Sequence, residues 1–293
     1  MRKFKNLLEM FIFGLVKFIS LFPFWILYAL SDLLFLIAYY LIGYRKKVVR
    51  KNLRLVFPEL DDKERKRIEK RFYHHLCDVM VETIKLLSLS DKSLGKRVTV
   101  VDAELVDKNC EEGKSTILFL GHYGNWEWVP FITRHFHKQQ VFAQIYSPLK
   151  DSAVGKTVHA IRNRFGAENI SKERAYRRLL EIQHNGKRFV TGFISDQRPL
   201  GTNLHHWTNF LGIDTAYMAG GETIGKRLGA DFLYLDVDKT GRGRYTLTFR
   251  PLEVREDGEE NPVTRAYLRE MEATIRRDPA IWLWSHNRWK ARR

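Results

Sequence analysis

From Phe18 to Tyr44 the chain reads FISLFPFWILYALSDLLFLIAYYLIGY, 27 residues whose only charge is Asp32. At ~1.5 Å per helical residue this is roughly 40 Å, more than the ~30 Å of a bilayer core. The pattern then changes. Segment 61–87, DDKERKRIEKRFYHHLCDVMVETIKLL, sets Ile68, Phe72, Leu76 and Met80 at a helical period among charged residues. It predicts an amphipathic helix capped by Asp61 or Asp62.

After residue 90, short apolar runs take over. Val98–Val101, Ser115–Leu120, Gln140–Ile145 and Phe189–Ser195 read as strands, with helical patterns near 125–137, 152–165 and 172–184. Asp231–Asp238 and Tyr245–Arg250 read as a hairpin turning through Thr240-Gly241-Arg242-Gly243. A last helix is predicted over Pro262–Arg277. Strands alternating with helices predict an α/β fold: a mixed, largely parallel sheet flanked by helices, with an N-terminal apolar membrane-anchoring helical segment. No linker-like stretch interrupts residues 90–293. The expected organisation is an anchoring segment over 1–44, a basic helical segment over 45–90 and one catalytic-sized domain over 91–293.

Charge sharpens the picture at the N-terminus. Arg2, Lys3, Lys5 and Lys17 precede most of the apolar run; Arg45, Lys46, Lys47, Arg50 and Lys51 follow it. Tyr39, Tyr40 and Tyr44 stand where an interfacial aromatic belt is expected. The run is too long for a cleaved signal peptide, and no small-x-small site precedes the second basic cluster. Pro23 and Asp32 admit two arrangements, a single span or two shorter helices lying in one leaflet. The denser cluster after the run places the rest of the chain on the cytoplasmic face.

The whole chain carries 50 Lys and Arg against 34 Asp and Glu, a net charge of +16, which suits an anionic partner or surface. The basic residues are spread along the sequence without a nucleic-acid motif, so no nucleic acid is expected as a partner. Cys77 and Cys110 are too few and too far apart for a disulfide framework or a zinc finger. His74-His75, His135 with His137, and His205-His206 lack zinc-site spacing, and no metal is expected.

The richest chemistry lies in residues 118–128, LFLGHYGNWEW. A buried strand ends at Leu120, and Asn125 is a good N-cap for a helix starting at Trp126. On a continuous helix His122 and Glu127 are rotated by roughly 140° and cannot meet. A bend at Gly124 lets the Glu127 carboxylate fold back onto the imidazole, fix its tautomer and raise its basicity. Such a His/Glu dyad takes a proton from a hydroxyl. No Ser or Cys of the chain is adjacent, so that hydroxyl belongs to a substrate; a histidine buried for structure satisfies the same spacing. The Trp282, Trp284 and Trp289 cluster reads as packing, and the tail Arg288, Lys290, Arg292, Arg293 as solvated or phosphate-holding.

Five blocks in order resemble the late acyltransferases of lipid A biosynthesis, within the lysophospholipid acyltransferase superfamily. They are RKNLRLVFPEL at 50–60, the His-x4-acid box His122 to Glu127, Arg162-Asn163-Arg164 before Phe165-Gly166, Ser195-Asp196-Gln197-Arg198-Pro199, and Trp284-Ser285-His286-Asn287-Arg288-Trp289-Lys290. The similarity covers nearly the whole chain. It implies an inner-membrane O-acyltransferase that moves an acyl chain from an acyl carrier protein thioester to a 3-hydroxyacyl hydroxyl on a lipid A precursor, without cofactor. By position, His122 is the implied general base and Glu127 its orienting acid. Arg162 or Arg164 is implied to hold the oxyanion or a phosphate, while Asp196 and Gln197 shape the site. With Asn125, these last four are the candidate substrate-binding residues. A lysophospholipid or aminolipid acyltransferase is the alternative within the same chemistry. From other classes, a membrane-tethered nucleic-acid binder and a hydrolase using water remain. One departure stands after the Asp-Gln block, where the family's aromatic run ending in Phe-Phe-Gly is replaced by HHWTNFLG at 205–212.

Overall fold

In the computed structural model, which describes residues 2–146, 161, 163–199, 204–255 and 258–290, with side chains from Glu9 onward, the apolar runs after residue 90 form a seven-stranded sheet. Its strands are β1 (Val98–Val101), β2 (Thr116–Leu120), β3 (Val141–Tyr146), β4 (Glu168–Ser171), β5 (Phe189–Ile194), β8 (Asp231–Gly241) and β9 (Arg244–Pro251). The order is β1-β9-β8-β2-β5-β3-β4, and every pairing is parallel except the β8–β9 hairpin. β2 is buried at all its positions, as a central strand covered on both faces must be. A separate antiparallel pair, β6 (His206–Phe210) and β7 (Ile213–Tyr217), turns through Leu211 and Gly212, both at positive φ.

The apolar N-terminus breaks at Pro23 into α1 (Arg2–Leu21) and α2 (Phe24–Leu36), and α2 runs on as a π-helical turn, Ile37–Ile42. Phe24–Ile42 is long and apolar enough to cross a membrane. Then come α3 (Lys46–Val56) and α4 (Asp62–Lys85). A capping box starts α4: the Glu64 amide donates to Asp61 (2.7 Å) and the Asp61 amide to Glu64 (3.1 Å). The sheet is flanked by α5 (Asp91–Gly95), α6 (Glu104–Glu111), α7 (Ala175–His184), α8 (Gly220–Arg227) and α9 (Pro262–Arg277). One apolar cluster runs from Phe35 and Tyr39 through Val49, Leu53 and Phe72 to the sheet and on to Trp282, Trp284 and Trp289.

The structure departs from the sequence reading in two places. The element after Gly124 is a 3-10 helix, Trp126–His135, because Pro130 inside it removes a donor and crowds the preceding turn. β4 buries only Ile170 at the sheet edge, and β6–β7 mixes polar and apolar residues, so neither carries a strand-like apolar run. The helix expected near 152–165 falls almost wholly outside the described residues.

Candidate active site

β2 and β5 are parallel neighbours in a register that pairs Leu120 with Ile194. The chain leaves both strands at the same end of the sheet, the edge where open α/β sheets bind ligands. Two residues further on, His122 and Asp196 meet. The His122 ring Nδ1 lies 2.8 Å from Asp196 Oδ1, and the His122 amide donates to Oδ2 at 3.1 Å. Asp196 Oδ2 also accepts from Trp282 Nε1 (2.7 Å) and Gln197 Nε2 (3.0 Å). Burial pushes the fully buried Asp196 carboxyl up, but the His122 charge and these donors hold it below the ordinary carboxylate range. With Nδ1 given to an ionised carboxylate, Nε2 is the basic nitrogen of His122.

The carboxylate on Nδ1 of His122 is Asp196, a partner that the sequence reading did not assign to the ring. The reason is register, which carries residue 196 to residue 122 at the strand ends. Glu127 lines an apolar cleft with Leu120, Trp126, Val129, Phe142, Gly192 and Ile194, next to the same strand ends. Trp126 stands edge-on to the His122 ring at 5.3 Å.

The loop is tightly held. Gly124 has φ 60, and a Cβ there would meet Val237 at 2.6 Å; a Cβ on Gly121 would meet the Met271 sulfur at 2.3 Å. The bend expected at Gly124 is thus fixed by backbone handedness and by packing. His75 Nε2 donates to the Gly124 carbonyl (3.0 Å), and Lys239 donates to its Nδ1 (3.1 Å). Burial, with Lys239 beside it, pushes the His75 pKa down to about 3, so this ring is neutral. Asn125 occupies the N-cap position, but its side chain makes no cap. Its amide donates to Glu82 Oε2 at 2.7 Å, deep under the loop. Tyr267 donates to the Leu120 carbonyl at the strand end (2.9 Å).

A C-terminal strap pairs with the loop backbone. The Gly124 amide donates to the Ile281 carbonyl (3.0 Å), and the Leu283 amide to the His122 carbonyl (3.1 Å). Asn52 Nδ2 donates to the carbonyls of Trp284 (2.9 Å) and His286 (2.8 Å), so two motifs more than two hundred residues apart lock together.

A model of the bacterial lipid A biosynthesis acyltransferases matches residues 1–291. The chain belongs to this family. It is an acyltransferase of lipid A biosynthesis, and the family implies a lipid substrate. A search of curated proteins gives no match.

The remaining candidates of this acyltransferase are placed unevenly. Asp196 and Gln197 stand at His122. Arg164 does not come with them: its guanidinium donates to the Leu86 and Leu89 carbonyls and pairs with Asp91 at 2.8 Å, holding the end of α4. Arg162 lies outside the described residues. Arg288, expected in a solvated tail, is buried over the Phe210 ring, and burial pushes its pKa down to about 10. Sequence reasoning missed Trp282, Asn52, Glu82, His75 and Tyr267 as parts of the site's support. Only Asn52 carried a signal, its place in the RKNL block. Among the described residues, no group of three or more His, Cys, Asp or Glu side chains converges as a metal would require.

Proposed function

We propose that this acyltransferase moves an acyl chain from an acyl carrier protein thioester to the free hydroxyl of a 3-hydroxyacyl chain on a lipid A precursor. It does so at the cytoplasmic face of the inner membrane. The observation that carries the reading is His122, held by buried Asp196 at the open edge of the sheet beside an apolar cleft. Nε2 takes the proton of the acceptor hydroxyl as its oxygen attacks the thioester carbonyl. The tetrahedral oxyanion collapses, the C–S bond breaks, and the departing thiolate receives the proton from His122. Asp196 orients the ring, and Glu127 on the cleft wall adds negative charge that stabilises the imidazolium. The apolar cleft suits an acyl chain. A net charge of +16 suits a phosphorylated lipid in an anionic leaflet and an acidic carrier protein.

Mass spectrometry tests the proposal. A lipid A precursor is incubated with detergent-purified enzyme and acyl carrier protein thioesters of mixed length, with His122→Ala and Glu127→Ala alongside. The precursor should gain one acyl mass with the native enzyme and none with either variant. Gain only on glycerolipid or aminolipid acceptors would overturn the acceptor, and full turnover by both variants would overturn the catalytic residues.

A further inference from the structure

The N-terminal helices present two different faces. The inner face of α2 is tied to the domain nearly turn by turn. Tyr28 donates to Glu82 (3.0 Å), Ser31 donates to Asp78 (2.8 Å), and Arg242 from the β8–β9 turn bridges Asp32 (2.6 Å) and Asp78 (2.7 Å). Phe35 stacks on His74 at 3.5 Å, and Lys46 donates to the Tyr39 carbonyl (2.9 Å). Lys85 clamps the corner between the helices through the Ser20 and Phe22 carbonyls (2.8 and 2.9 Å). The outer faces are largely apolar and exposed: Met10, Phe11 and Leu21 on α1, with Lys17 among them, and Trp25, Leu33 and Leu41 along α2 and its π turn.

The inner contacts decide how a bilayer can sit on this surface. From Tyr28 to Tyr39 α2 runs ~16 Å at the helical rise, beside Asp78, Glu82, Lys85 and Arg242. A helix crossing the membrane would carry these groups into hydrocarbon, where each charge costs several kcal/mol. A bilayer lying against the outer faces meets apolar side chains, with Lys17 long enough to reach the headgroups. It also meets a basic rim, with Arg45, Lys47, Lys51 and Arg54 exposed just beyond the apolar surface. Tyr40 and Tyr44 sit between the two, with Lys70 over the Tyr40 ring and Arg45 over the Tyr44 ring. A second copy of the chain would bring the same cations against themselves; anionic headgroups complement them.

We infer that α1 and α2 form a monotopic platform that lies within one leaflet of an anionic bilayer and does not span it. Phe24 at the corner packs edge-on against Trp128, in the segment that follows the His122 loop, so the platform abuts the site from the membrane side. The inference deepens the membrane attachment proposed above.

Nitroxide labels on Met10→Cys, Trp25→Cys and Leu41→Cys test it, in full-length protein with Cys110→Ser and Cys77 left buried. The three positions are exposed, so the fold should tolerate them. The protein is bound to vesicles of phosphatidylethanolamine and phosphatidylglycerol, and label depth is read from relaxation by oxygen against a water-soluble nickel chelate. All three labels should lie at one shallow depth, within about 10 Å of the headgroups. A depth difference near 24 Å between positions 25 and 41, the length of that helix at ~1.5 Å per residue, would overturn the platform while leaving membrane attachment intact. Labels hidden from lipid in floating vesicles would point to a second copy and overturn it as well. Failure to float would overturn membrane attachment itself.

Discussion

Two fully buried carboxylates hold different parts of the 121–127 loop, Asp196 at His122 and Glu82 at Asn125. Asp196, at the strand ends, accepts from both His122 nitrogens named above, from Trp282 and from Gln197. Glu82, on α4, accepts from Tyr28, Asn125 and Tyr245, all neutral groups. Their acidities move in opposite directions. Burial raises Glu82, and its hydrogen bonds do not offset that. Burial would raise Asp196 too, but the His122 charge and the donors outweigh it. Hydrogen bonds from neutral donors fasten a buried carboxylate in place; a titratable partner keeps it charged. The first builds a foundation and the second a catalytic pair.

The largest effect expected from breaking this contrast is on His122. His122→Ala should lower the acyl-transfer rate by about 10²- to 10⁴-fold while the thermal midpoint stays close to native, measured by steady-state turnover beside circular dichroism. Gly124→Ala should strike the foundation and the pair together. The positive φ and the close Val237 methyl predict a loss of about 1–3 kcal/mol of stability in denaturant titration, with activity falling too. Trp282→Phe keeps an aromatic ring but removes one donor from Asp196. The carboxyl should then titrate higher, and the acid limb of the kcat/KM profile should shift to higher pH.

Glu82→Gln should be the mildest change, within about 1 kcal/mol, because the amide can still accept from Asn125 and Tyr245. Its signature is in the pH dependence of stability. A carboxyl raised on folding contributes stability that is lost as pH rises through its folded value, so the glutamine variant should lose less above the ordinary carboxylate range. Asp196 works the other way. Its folded value is depressed, so its contribution is present above the ordinary carboxylate range and lost as pH falls through the folded value.

Much of the framework was legible in the apolar pattern. The predicted β1 and α9 coincide with the observed elements, and β2, β3 and β5 differ by a residue at their ends. Long or buried elements write themselves into the sequence through periodicity. Edge strand β4 and the mixed β6–β7 pair do not, because polar residues interrupt their apolar positions. The site was legible in part. The Gly-His-x-Gly turn after a buried strand pointed to His122, and the resemblance flagged Asp196. Their meeting was not readable, because it depends on strand order: β5 lies next to β2 although β3 and β4 come between them in sequence. Local spacing pointed to Glu127, which lines the neighbouring cleft, and could not point to Asp196, seventy-four residues away. Arg164 shows the converse, a residue marked for substrate that the fold uses to hold the end of a helix.

The most direct test of the catalytic pair is the turnover of Asp196→Asn, assayed with the native enzyme under identical lipid and carrier conditions and with folding checked on both. The substitution keeps the size of the side chain and removes the charge that holds His122 Nδ1. The account predicts a fall of about 10³-fold or more in kcat with a native-like thermal midpoint. A folded Asp196→Asn enzyme turning over at the native rate would contradict it.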